Sequence, residues 1–203
     1  MIMSGHRYNV FDFNGTLYDG ECFVDYCMFV IRKYDFWRIR FLPLALWSFG
    51  LYRLGWMSKK TLNRNSAKIT RGFVNENDNV DAMVFRFWAT NKDKLNQEIL
   101  NIMFDSEYAV IISSGLGFLI EGARKYLGKV QILSSAYDIK EGRYTYLNTG
   151  PAKAKTWKKF HENDFIGDVY TDTEKKDDPL WQIALGKLHV VKHGKIVKVK
   201  NHH

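Results

Sequence analysis

The sequence predicts an α/β fold, a Rossmann-like parallel sheet interrupted by an inserted all-helical segment. Three observations carry this. Apolar runs that read as buried strands recur at residues 8–13, 109–112, 130–133 and 165–170. Helix-type spacing separates the later strands, and strands alternating with helices call for a parallel sheet covered on both faces. Residues 19–104, by contrast, show helical periodicity and few β-rich runs, so a block of four or five helices falls between the first two strands.

The elements follow in order. Tyr8 to Phe13 is a short buried strand that ends in a polar turn, Asn14-Gly15-Thr16. In the helical block, Phe23, Tyr26, Cys27 and Val30 share one helical face, and Met83, Phe87 and Thr90 share another. Ala109 to Ile112 is the second strand and runs into Ser113-Ser114-Gly115. A helix is expected from Leu116 to Leu127, ended by Gly128, then a strand from Val130 to Leu133. Residues 137–147 read as a hairpin turning at Glu141-Gly142, and Lys153 to His161 as a basic helix. Phe165 to Tyr170 is a further strand, followed by a short helix near Pro179 to Leu185 and a closing hairpin at His193-Gly194. The division is residues 1–18 and 106–203 for the sheet core, and 19–105 for a helical cap.

Composition bounds the rest. Of 203 residues, 46% are hydrophobic and 15% aromatic, which excludes global disorder; three prolines and fifteen glycines exclude collagen-like architecture. Two cysteines, Cys22 and Cys27, make no disulfide framework for a chain of this size, so a reduced, cytoplasmic setting is expected. The N-terminus has no apolar run resembling a signal peptide. Six scattered histidines show no metal-ligand spacing.

The net charge of +8 is local. Between Phe36 and Asn75 stand Arg38, Arg40, Arg53, Lys59, Lys60, Arg64, Lys68 and Arg71, with no acid. The uncharged run Phe41 to Tyr52 is too short to span a bilayer, which takes about 20 apolar residues. Segment 36–75 admits three readings: a core helix with a solvated basic edge, a nucleic-acid site, or a membrane-surface element. Trp, Leu and Phe crowd between the flanking arginines and leave scarcely a polar face. That favours an anionic membrane surface and argues against nucleic acid.

In open parallel sheets, ligands bind beyond the carboxyl ends of the strands. Those ends carry Asp12, Asn14, Gly15 and Thr16, then Ser114 and Gly115, then Thr171 and Asp172 with Asp177 and Asp178 close behind; Lys153 opens the intervening helix. Carboxylates, a hydroxyl and a lysine at one sheet edge suit phosphoryl transfer. A carboxylate can attack phosphorus, magnesium takes hard oxygen ligands, and lysine neutralises the transferring oxygens.

Asp12-Phe13-Asn14-Gly15-Thr16-Leu17 resembles the first motif of the haloacid dehalogenase superfamily, Asp-x-Asp-Gly-Thr, with one change. Ile111 to Gly115 is similar to its second motif, and Lys153 after Gly150-Pro151 to its third. Tyr170-Thr171-Asp172 through Asp177-Asp178-Pro179-Leu180 resembles the fourth motif of the phosphoserine-phosphatase-like subclass. Within it, the run Phe41-Leu42-Pro43-Leu44-Ala45-Leu46 and the overall length resemble the phosphatidylglycerophosphatase C family.

The resemblance implies a Mg²⁺-dependent phosphatase acting on a phosphorylated substrate, and gives each position a role. Asp12 would be the nucleophile, and Ser114 and Lys153 would bind phosphoryl oxygens. Asp12, the Asn14 main-chain carbonyl, Asp172 and Asp177 would form the metal site. Thr16, Glu21 and Gly115 would contact substrate, Glu21 standing nine residues after the nucleophile. The chain departs from the pattern twice. Asn14 replaces the acid that protonates the leaving group and activates water, and reads as a substitution in an otherwise intact site. Asp172 and Asp177 are five apart where four is expected, which leaves Asp178 as a rival to Asp177.

Plainer roles stand beside these. Ser114 suits a helix cap, Lys153 a solvated lysine face, Asp177 and Asp178 a helix N-terminus, and Glu21 an ordinary surface. The expected setting is cytoplasmic, on the inner face of a membrane. A soluble small-molecule phosphatase and a non-catalytic phosphate-binding protein are the alternatives.

Overall fold

The computed structural model describes residues 5–173 and 179–201. The core strands are β1 (Arg7–Phe11), β2 (Ala109–Leu116), β3 (Gln131–Asp138), β4 (Arg143–Tyr146), β5 (Phe165–Thr171), β6 (Leu188–Lys192) and β7 (Lys195–Lys200). Between β1 and β2 lie α1 (Cys22–Lys33), α2 (Leu42–Arg53), α3 (Lys59–Phe73), α4 (Val80–Asn91) and α5 (Gln97–Asp105). Later come α6 (Gly117–Glu121), α7 (Arg124–Leu127) and α8 (Pro151–Phe160).

The strands form one sheet in the order β4-β3-β2-β1-β5-β6-β7. β1 pairs in parallel with both β2 and β5, and β3 and β6 extend the parallel centre on either side. Hairpins add β4 and β7 antiparallel at the two edges. Alternation along the strands sorts the core. Val10, Val110 and Ile112 pack on one face with Trp157 of α8, while Phe11 and Ile111 pack on the other.

That second face receives the helical block. Tyr26 and Val30 of α1 and Phe87 and Trp88 of α4 share a buried cluster with Phe11 and Ile111, so block and sheet are cemented by one core. The expected α1 face is buried, with Phe23 at its margin. On α4 the buried stripe is Val80, Met83, Val84, Phe87 and Trp88. Thr90 is exposed instead, its hydroxyl turned back to the Phe87 carbonyl at 3.0 Å.

Three elements differ from their expected form. The strand at 130–133 and the first arm of the following hairpin are one strand, β3, which pairs with β2 on one side and β4 on the other. The helix expected over 116–127 is broken into α6 and α7. Trp88 Nε1 donates to the Leu119 carbonyl at 2.8 Å, and the Ala123 N–H turns to Ile120 instead. A Cβ on Gly122 would sit 2.2 Å from Val84 Cγ1, so α4 presses directly on the break. The short helix near Pro179 is a 3-10 turn at Trp181–Ile183.

The basic segment begins with a 3-10 helix, Phe36–Phe41, and continues as α2. Its inner side is packed. Leu42, Leu44 and Ala45 lie against the core, and buried Ser48 accepts from Asn65 of α3 at 2.9 Å. Its outer side is bare: Trp37, Leu46, Trp47 and Trp56 are 74%, 76%, 62% and 77% exposed. No described helix is long and apolar enough to cross a membrane.

Candidate active site

Asp12 directly follows β1, and its main-chain N–H donates to the Tyr170 carbonyl at 2.9 Å, fixing it between β1 and β5. Its carboxylate is held on both oxygens. Oδ1 accepts from the Phe13 N–H at 2.7 Å, and Oδ2 accepts from Lys153 Nζ at 2.6 Å. Lys153 is buried in the first turn of α8. Gly150, at φ +57°, turns the chain into that helix and Pro151 starts it, as proline's fixed φ allows.

A buried ion pair repays its desolvation only when geometry is well supported. Here the support is Asn148, which sequence reasoning missed. Fully buried, it donates to the Ser113 carbonyl at 3.2 Å and the Leu133 carbonyl at 3.0 Å. Its own N–H donates to Ser135 Oγ at 3.0 Å, and its Oδ1 accepts from Thr156 of α8 at 2.9 Å. One amide thus ties β2 and β3 to α8, the helix that carries Lys153. The only prior signal was an asparagine just before a Gly-Pro turn.

The turn after Asp12 brings in the remaining groups. Gly15 sits at φ +70°, and a Cβ there would lie 2.7 Å from Asp172 Cβ, so the Asn14-Gly15 backbone passes against Asp172. The Asn14 side chain faces the start of α1. Its Oδ1 accepts from the Cys22 N–H at 3.1 Å, and its Nδ2 donates to Glu21 Oε2 at 3.0 Å. This fit needs an amide, because aspartate at 14 would set two carboxylates against each other. Gly115 closes the site from β2: its N–H donates to Ser113 Oγ at 3.0 Å, and a Cβ on it would lie 3.8 Å from Asn14 Nδ2.

The other expected residues fall as follows. Ser114 is exposed at the end of β2, its carbonyl accepting from Ser135 Oγ at 2.8 Å. Thr16 is fully buried, and its hydroxyl has no hydrogen-bond partner among the described residues. It lies inside the fold rather than facing the opening, and its carbonyl is held by Asn96. Asp177 and Asp178 lie outside the described residues. Lys192, at the end of β6, was not anticipated; its ammonium donates to the Asp172 carbonyl.

The carboxylates feel one another. Burial raises the Asp172 carboxyl above the ordinary carboxylate range, and the Asp12 charge raises it further, with Lys192 and Lys153 opposing. Burial likewise raises Glu21, followed by the charges of Asp172 and Asp12. Among the described residues no three His, Cys, Asp or Glu side chains gather into a metal cage. Two repelling carboxylates and a main-chain carbonyl still fit magnesium, which binds through one or two carboxylates and keeps several waters.

No protein-family model and no curated protein sequence matches the chain. Solved structures do. The chain is similar to a phosphoserine phosphohydrolase-like protein from Francisella tularensis, at 16% identity over 91% of this chain and 86% of that one, with a TM-score of 0.61. It is similar to a HAD family hydrolase from Salmonella enterica serovar Typhi, at 14% identity over 89% and 60%, with a TM-score of 0.58. It is also similar to a phospho-aspartyl intermediate analogue of phosphoserine phosphatase, at 12% identity over 93% and 88%, with a TM-score of 0.53. At such identities the likeness speaks for the fold alone: the chain shares the α/β fold of these solved structures.

Proposed function

We propose that the chain is a magnesium-dependent phosphatase that hydrolyses a phosphate monoester through an aspartyl-phosphate on Asp12. The observation that carries this reading is the Lys153 ammonium 2.6 Å from the Asp12 carboxylate, at the carboxyl edge of the central strands. A carboxylate there attacks phosphorus while the bond to the ester oxygen breaks, and the leaving alkoxide takes its proton from solvent water. Water then hydrolyses the acyl-phosphate, releasing inorganic phosphate and restoring the carboxylate. Lys153 orients Asp12 and offsets charge on the transferring oxygens. Magnesium, when bound by Asp12, Asp172 and the Asn14 carbonyl, supplies further charge neutralisation at the phosphoryl group.

Asn14 has no proton to relay near neutral pH, so turnover is slow, by about 10²–10⁴-fold against an acid at that position. The substrate we propose carries its phosphate on a lipid headgroup, such as phosphatidylglycerophosphate, met at the cytoplasmic face of a membrane. The bare aromatic side of the Phe36–Trp56 segment supports this setting. Phosphate release with Mg²⁺ from the chain and from Asn14→Asp tests the proposal; no release from either sinks it. The fit of the Asn14 amide to Glu21 and Cys22 favours a second reading, a phosphate-binding protein without turnover, in which Asn14→Asp gains nothing.

A further inference from the structure

We propose that the cleft between the Phe36–Phe41 3-10 helix, the C-terminal end of α3 and the β3–β4 turn binds the phosphate of an anionic lipid headgroup. Arg40, Arg71 and Lys140 would hold it. The proposal rests on the membrane setting just given, not on the chemistry at Asp12, and none of the cleft's lining residues belongs to that site.

The cleft is about 390 Å³, ample for a phosphate group, and its wall is predominantly polar. Its fourth cation, Arg38, is already committed. Arg38 pairs with both oxygens of Asp78 at 2.8 and 2.6 Å, with Asp35 at 3.3 Å, and donates to the Phe73 carbonyl at 3.1 Å. Arg40, Arg71 and Lys140 have no carboxylate within 4 Å among the described residues, and Glu76 is the one acid on the wall not tied to Arg38. Three cations with no ion-pair partner among the described residues, Arg40 lying over the Phe41 ring at 5.1 Å, against one carboxylate favour an anion.

Two glycines show that the cleft is shaped. A Cβ on Gly72 would lie 2.6 Å from the Phe41 ring, which seats that ring in the cleft wall. A Cβ on Gly142 would lie 2.7 Å from Arg71 Cδ, so the Arg71 stem rests on the β3–β4 turn. Thr70 and the Tyr144 hydroxyl, 3.0 Å apart, pin α3 to β4 beside it.

The lipid source, rather than free phosphate, follows from the neighbours. Residues three apart eclipse in a 3-10 helix, so Trp37 and Arg40 share one face. Trp37 is bare, and so are Phe36 beside it and Leu46 and Trp47 on α2. Aromatic rings favour the headgroup region, and basic side chains are drawn to anionic leaflets. One docked orientation would satisfy both.

Vesicle sedimentation in an Asp12→Asn background tests this without turnover. Vesicles of phosphatidylglycerol in phosphatidylcholine should bind the chain, and phosphatidylcholine alone should not. Arg40→Gln/Arg71→Gln/Lys140→Gln should weaken binding by about 10²-fold, and Trp37→Ser should weaken it further. In the otherwise native chain the same triple change should leave hydrolysis of soluble p-nitrophenyl phosphate unchanged. If the triple variant melts early, Arg40→Gln/Lys140→Gln, both at exposed side chains, carries the test. Unchanged binding by these variants overturns the proposal, as does equal binding to neutral vesicles. Competition by soluble glycerol phosphate as effective as by vesicles would overturn the lipid source. Failure of the chain with all three cations in place to bind anionic vesicles, with hydrolysis intact, defeats the docking inference alone; absent hydrolysis with binding intact defeats the phosphatase reading alone.

Discussion

The carboxyl edge of the sheet and the outer side of the Phe36–Trp56 segment obey opposite rules. At the sheet edge polar groups are partly or fully buried and several are held: Lys153 by Asp12, Asn148 by four partners, the Asn14 amide by Glu21 and Cys22. On the outer segment large apolar groups are left in water, with Trp37, Trp47 and Trp56 mostly exposed. A folded monomer gains nothing from either arrangement taken alone. Burying a charge pair costs desolvation, and a contiguous exposed apolar strip invites association. The contrast is what the proposed function would account for, with a phosphoryl group meeting one region and a membrane surface the other.

Substitutions should separate the two regions sharply. The largest effect belongs to Asp12→Asn, which removes the proposed nucleophile and should cut phosphate release by about 10³-fold or more in a steady-state assay. Next is Asn148→Ala. It takes the amide donor from the carbonyls of Ser113 and Leu133 and the acceptor from the Thr156 hydroxyl, and should lower unfolding free energy by about 2–3 kcal/mol in urea titration. Gly15→Ala forces a side chain into φ +70° and against Asp172, at about 1–2 kcal/mol, and should also reduce activity.

A smaller, pH-dependent effect is expected at Asp168. Burial pushes its carboxyl up, but the Lys187 N–H and His189 more than reverse this, so it lies below the ordinary range. A depressed carboxyl contributes stability above its unfolded pKa and loses it as pH falls through the folded value. Asp168→Asn should therefore lower the melting temperature at pH 7, by no more than about 1 kcal/mol equivalent, with the difference closing below about pH 4. The smallest effect is Trp47→Ser, which should stay within about 0.5 kcal/mol, because that ring packs on little. A large loss of stability there would erase the contrast between the regions.

Much of this was legible in the sequence because it rests on local chemistry. Buried strands announce themselves as apolar runs, and the two hairpins turn where Glu141-Gly142 and His193-Gly194 supply positive φ or a polar bend. Asp12, Asn14, Gly15, Gly115 and Asp172 come together because each sits at a strand end or in the turn just beyond it. What escaped depends on partners distant in the chain. The break between α6 and α7 comes from Trp88 taking a carbonyl, which no pattern within 116–127 reveals. The roles of Asn148 and Lys192 likewise need the sheet order. The Phe36–Trp56 segment, read as either packed or surface-facing, is packed on one side and bare on the other, a division set by α3 rather than by its own periodicity.

The central claim is a covalent phosphate on Asp12, and the slow turnover proposed for Asn14 would make it directly observable. The chain should be mixed with Mg²⁺ and a radiolabelled phosphate monoester, quenched in acid, and its labelled peptide mapped. The account predicts acid-stable, hydroxylamine-labile label on the peptide containing Asp12, absent from Asp12→Asn. Phosphate release that proceeds without such label, or that survives Asp12→Asn, would contradict it.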